Sequence, residues 1–129
     1  MDTADVSELL AWAKVLERAG ADAQREGEGI VSKGSLNIKK RARELAPGGV
    51  HTPYYPDSIN YDLIIEPGDI IGETGPAEGR RQRGLGNILE YGTSHNPPHP
   101  HLEPALDEEE PRFYEACEDL AARLLERYG

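Results

Sequence analysis

Cysteine, methionine, tryptophan and phenylalanine each occur once in these 129 residues. A single cysteine, Cys117, excludes an intrachain disulfide and points to folding in a reducing place. No apolar run approaches the roughly 18 residues that a membrane span needs. No charged-then-apolar segment of a secretory signal opens the chain, so the expectation is a soluble protein that does not leave by a Sec-type route and has no membrane partner. Positive charge is scarce as well: 14 Lys and Arg stand against 24 Asp and Glu, a formal net charge of −10. A free-standing nucleic-acid binder needs a basic surface to release phosphate counterions, and this balance argues against that class. No internal repeat is visible.

What is present is modest. The hydrophobic fraction is 37% and aromatics are sparse, while 14 Gly and 10 Pro imply much turn and loop. The length suits a single domain, residues 1–129, with one small core.

Residues 7–19, SELLAWAKVLERA, have the spacing of an amphipathic helix, with Leu9, Trp12, Ala13 and Leu16 on one face. Ser7 suits its N-cap and Gly20 its stop. A second helix is expected over residues 22–46, carrying Ile30, Val31, Ile38, Ala42 and Leu45. Gly27, Gly29 and Gly34 weaken it by roughly 1 kcal/mol each relative to Ala and leave a break open. Residues 47–58 read as a loop. The period then changes to two: Ile59, Tyr61, Leu63 and Ile65 alternate, Pro67-Gly68-Asp69 is a turn, and residues 70–74 return, giving an antiparallel hairpin over 58–74. Residues 75–86, GPAEGRRQRGLG, have loop composition. Residues 87–91 fit a strand or a short helix equally. A last helix is expected over 108–128, with Pro111 in its first turn and the stripe Phe113, Ala116, Cys117, Leu120, Leu124 and Tyr128. This is α+β: a small hairpin-based antiparallel sheet packed against an N-terminal helical region and a C-terminal helix.

Candidate sites are few. His95, His99 and His101, with Glu103 nearby, have a metal-like spacing, yet Pro97, Pro98 and Pro100 between them favour extended geometry that turns the side chains apart. The reading is no metal and no cofactor. Carboxylates around the hairpin (Asp57, Asp62, Glu66, Asp69, Glu73) read as a solvated sheet face. No catalytic constellation stands out, and Cys117 reads as a small apolar helix residue. Tyr54, Tyr55 and Trp12 are candidate interface anchors, since aromatics are enriched at interface centres. Arg80, Arg81 and Arg83 are candidates for contact with an acidic neighbouring subunit, ahead of DNA. Glu90, Tyr91, Gly92 and Thr93 read as a structural turn. Gly92 is expected in a conformation closed to other residues and Thr93 bonded to local backbone.

Three stretches carry a resemblance. VSKGSLNIKKRARELAPGG (31–49) closes a helix in Ala-Pro before a loop. Asp57-Ser58-Ile59 opens a strand. LEYGTSHNPPHPHLEPAL (89–106) runs from Glu-aromatic-Gly-Thr through a proline loop to Pro104-Ala105-Leu106 and the last helix. In these, over about residues 25–128, the chain resembles the gene-product-ten-like family of neck and tail-completion proteins of lambdoid and related siphophages. It departs from that pattern after Pro47, where HTPYYPDSI replaces a Thr-Gly-x-Leu loop, and before the Gly-Thr motif, where GRRQRGLG is basic.

The resemblance implies a virion protein, made in the bacterial cytoplasm, that forms a homo-oligomeric ring, commonly a hexamer, at the head–tail interface. Its neighbours would be connector or stopper proteins and tail terminator or tail tube proteins. DNA would pass through its lumen without sequence-specific binding, and no reaction would be catalysed. Two alternatives follow from the same residues: a tail terminator capping the tube, and, from another class, a small metal-dependent hydrolase using the His95/His99/His101 loop. An acidic host-side adaptor or antitoxin-like binder is a further reading.

Overall fold

The computed structural model describes residues 3–129, with side chains described for Leu10, Ala11 and residues 13–129. The Trp12 anchor, Leu9 of its stripe and the Ser7 capping group lie outside the described side chains. Helix and strand are mixed, as an α+β chain requires. The order is α1 (Thr3–Leu45), a one-turn α2 (Tyr55–Ser58), β1 (Ile59–Glu66), β2 (Asp69–Pro76), a 3-10 turn (Arg83–Leu85), α3 (Gly86–Tyr91) and α4 (Leu102–Tyr128).

The two expected N-terminal helices are one. α1 runs unbroken past Gly20, Gly27, Gly29 and Gly34, and Ser7 lies within it rather than capping it. A glycine stops a helix when it turns left-handed, but the glycines with positive φ are Gly68, Gly79 and Gly92. Two of the helical glycines, Gly27 and Gly34, instead allow close packing, while Gly20 and Gly29 face open space. A Cβ at Gly34 would touch the Phe113 ring at 3.4 Å, and one at Gly27 would meet Ile70 at 3.1 Å. Tertiary contact outweighs a propensity cost of about 1 kcal/mol per glycine.

α4 lies antiparallel on α1. Arg41 Nε meets Glu108 Oε2 at 2.7 Å, and Asn37 Nδ2 donates to Glu109 Oε1 at 2.9 Å. At the far end, Arg127 and Tyr128 both donate to Asp22. α4 begins six residues before its expected start, so Pro111 falls inside the helix and Pro104 takes the first-turn place that proline tolerates. Beyond Asp22, α1 continues for residues 3–21, about 29 Å at 1.5 Å per residue. Leu10 and Leu16 on that arm are 61% and 66% exposed.

The hairpin starts one residue later and ends two residues later than the alternating pattern suggests, at Ile59 and Pro76. Its register pairs Ile59 with Pro76, Leu63 with Gly72 and Glu66 with Asp69, closed by Pro67-Gly68. Gly68 has φ +76, as the third residue of a Pro-Gly type II turn needs. One face lies on α1: the Tyr61 hydroxyl is 3.4 Å from Ser32 Oγ, and Lys39 Nζ sits over the Tyr61 ring. Gly72 leaves no room for a side chain, because its Cβ would overlap Ser35 Oγ.

The core is small. Ala42, Tyr55, Ile59 and Ala105 are fully enclosed, with Ile38, Ala46, Leu85, Leu89 and Leu102 packed around them. The accessible surface is 8881 Å², against about 6,800 Å² for a compact monomer of this mass.

The α1–α4 end carries a pH signature. Hydrogen bonds from Tyr128, then Arg127, hold the Asp22 carboxyl down from 3.8 to about 2. A depressed carboxyl contributes stability that is complete above its unfolded value and lost as pH falls through the folded one. The end of α4 should therefore loosen between about pH 4 and pH 2, and an Asp22→Asn variant should lack that acid step. Amide exchange at residues 120–128 against pH checks this; identical profiles would dismiss the contact.

Candidate functional site

The segment between α3 and α4 is built from local bonds outward. α3 ends when Gly92 turns to φ +76, ψ −177, with its N–H still bonded to Ile88 O at 2.8 Å. Thr93 Oγ1 accepts the backbone N–H groups of His95 and Asn96, and the Thr93 N–H bonds Asn96 O at 2.9 Å. The chain then doubles back, and His99 N donates to Leu89 O at 2.7 Å. This return brings residue 101 beside residue 90.

Glu90 is the pivot. It is 5% exposed, and its carboxylate accepts the N–H groups of His101, Leu102 and Glu103, the shortest at 2.8 Å. These are donors that the start of α4 cannot satisfy within the helix. His101, the residue before that first turn, makes no capping side-chain bond there. A carboxylate from 12 residues upstream does so instead, where the helix dipole favours negative charge. Tyr91, beside it, is exposed.

His101 is fully buried. Its Nδ1 lies 2.8 Å from His99 O and 3.2 Å from Glu90 Oε1. A carbonyl only accepts, so Nδ1 carries a proton, and Nε2 pairs with the Tyr55 hydroxyl at 2.7 Å. The two rings meet edge to face, 5.2 Å apart. Burial, and then the Glu90 charge, push the Tyr55 hydroxyl up to about 12. It stays protonated at any ordinary pH.

Tyr55 is thus not an interface anchor. The sequence paired it with Tyr54 in a proline-rich loop, but α2 turns it inward, where its hydroxyl pairs with buried His101. Tyr55→Phe should cost about 1–3 kcal/mol, because His101 Nε2 loses its partner inside the core. Urea denaturation measures it; a loss under about 0.5 kcal/mol would remove the pair's role.

Tyr54 keeps an exposed face. Arg81 lies across its ring, 3.4 Å from the centroid. Between them Gln82, at φ +60, accepts from Tyr54 N at 2.8 Å and donates to His51 O at 3.1 Å. The loops after Pro47 and after Pro76 are therefore one joined surface. Residues 75–86 are not plain loop: β2 reaches Pro76 and a 3-10 turn spans Arg83–Leu85. Arg80 and Arg81 are exposed with no carboxylate partner among the described residues, and Arg83 approaches Glu78 at 4.0 Å.

The histidines part company. His95 and His99 are exposed while His101 faces inward. Among the described residues no three His, Cys, Asp or Glu side chains are placed to hold a metal ion. The proline geometry accounts for the outward pair but missed His101, which the Gly92 reversal carries inside. The one sequence signal was an ionisable pair, Glu90 and His101, in a segment otherwise short of charge. Protein-family models, curated proteins and solved structures all returned no match to this chain.

Proposed function

We propose that this chain is a structural virion protein of a phage head–tail junction, a neck or tail-completion subunit that assembles into a ring around the DNA channel. The observation that carries the reading is the ratio of surface to core. Four enclosed apolar residues among the described ones, and about 2,100 Å² of surface beyond a compact monomer, support a subunit whose burial is completed by neighbours. Closed rings repeat one heterologous contact by rotation, and a chain with an arm at one end and joined loops at the other has two different faces to offer. Net charge of −10 repels DNA from the walls of a channel.

The reading is tested by assembly. Native mass spectrometry and negative-stain images of the protein, alone and with its connector and tail-end neighbours, should give a closed ring, and the neighbour bound separates a neck subunit from a tail terminator. Particles made without the chain should be filled heads and free tails that join when it is added back. Joining without it would end the proposal. Replacing Arg80, Arg81 and Arg83 together by Ala should leave the melting curve unchanged and reduce assembly about tenfold or more, the worth of one or two desolvated charge contacts; unchanged assembly would mean a merely solvated loop.

A further inference from the structure

The outer face of the hairpin is an unpartnered sheet face with a defined pattern. The register places Asp62 opposite Glu73, Ile64 opposite Ile71, and Glu66 opposite Asp69. Alternation along each strand puts all six on the side away from α1, because Tyr61, Ile70 and Gly72 point to α1. Ile64 and Ile71 are 38% and 43% exposed. They form an apolar pair bracketed by two like-charged pairs. Like charges directly opposite one another weaken a ladder, and a two-stranded hairpin with one bare face is marginal on its own. Both defects disappear if a cationic, partly apolar surface covers the face.

The chain contains such a surface. Arg80 and Arg81 lie close together in sequence within a strongly acidic protein and have no carboxylate partner among the described residues. Arg81 is fixed flat on the Tyr54 ring, and Gln82 ties both loops by two hydrogen bonds. A guanidinium held in place loses little freedom on docking. The patch offers what the hairpin face lacks: positive charge beside an aromatic ring.

Resting on the ring reading, we infer that the Tyr54–Arg81 surface of one copy docks on the Asp62/Glu73 and Ile64/Ile71 face of the next. The occupant is a second copy of this chain. The match is by charge and by an apolar pair meeting an aromatic ring, and donor and acceptor patches are different, as a head-to-tail contact needs.

Charge exchange tests it. Arg80→Glu with Arg81→Glu, and separately Asp62→Lys with Glu73→Lys, should each shift the wild-type oligomer to monomer in sedimentation velocity, with melting temperatures kept near wild type. An equimolar mixture of the two variants should assemble with the two chains alternating, since the reversed patch of one matches the reversed face of the other and the two native patches match as well. The chain carrying all four changes should assemble again. Single-patch variants that assemble like wild type would overturn the inference and leave the ring reading standing. A four-change chain that folds but stays monomeric would overturn it as well. A wild-type chain that is monomeric alone and forms rings only on its neighbours overturns this contact between copies; one that forms no ring in either setting removes the ring reading itself.

Discussion

A Gly92→Val protein should be severely destabilised, by about 3–5 kcal/mol, and should fail to assemble. Two independent effects add. The backbone at φ +76, ψ −177 lies in a region that is essentially restricted to glycine, and holding another residue there costs about 1–3 kcal/mol. A Cβ at this position would also stand 2.8 Å from both Asn96 O and Pro98 N. Both obstacles are backbone, so neither rotates away. Relief requires opening the return from residue 92 to residue 99, and with it the His99–Leu89 hydrogen bond that carries His101 into the core. Against a total of about 5–15 kcal/mol, such a loss removes much of the folded population at growth temperature. Gly29→Ala is the matched control. That position is helical and open on all sides, so it should gain up to about 1 kcal/mol. Thermal melts of both variants beside wild type decide the matter. A Gly92→Val chain that melts with wild type would show that the reversal does not depend on this residue.

Periodicity made the hairpin and the α1–α4 stripes legible, because each buries one face and repeats at two residues or at three to four. Boundaries were lost where a local signal competed with packing. Gly20 looked like a stop, yet nothing in the sequence reports that α1 is held in helical geometry by α4 and the sheet from Asp22 onward and runs on through Gly20 beyond them. Pro111 looked like a first-turn residue, but the true first turn lies further upstream, fixed by Glu90. That relation spans 12 residues and depends on the Gly92 reversal, so no window of sequence displays it. Tyr55 and His101 failed for a related reason. A proline-rich loop suggests exposure, and only the return of the chain brings a buried hydroxyl and a buried imidazole together. The Arg81–Tyr54 stack was half visible: both residues drew attention as surface features, while their contact with each other needed the two loops to be joined by Gln82.

Removing the Glu90 carboxylate should be about as damaging as blocking Gly92, and by a different route. Glu90→Ala leaves the amide groups of His101, Leu102 and Glu103 without their carboxylate acceptor and takes the negative charge from beside His101 Nδ1, which keeps His99 O. An unsatisfied buried donor costs about 1–3 kcal/mol, and breaking a buried charged network costs about 3–5 kcal/mol. Strain is absent here, so the loss should appear as fraying rather than misfolding. The first turn of α4 should exchange its amide protons much faster, and Ala105 and Leu102 should loosen with it because they pack in the same core. Glu90→Gln separates charge from shape. The amide keeps one accepting oxygen but presents an NH₂ to the remaining donors, so its cost should fall between wild type and alanine. Urea denaturation gives the two free energies, and hydrogen exchange locates them. If Glu90→Ala lies within about 0.5 kcal/mol of wild type, water or a neighbouring carbonyl must replace the carboxylate, and α4 is capped without it. If the loss is large but spread evenly over the chain, Glu90 supports the core as a whole. A loss concentrated at residues 101–105 identifies it as the remote cap that holds the start of α4 against the return from Gly92.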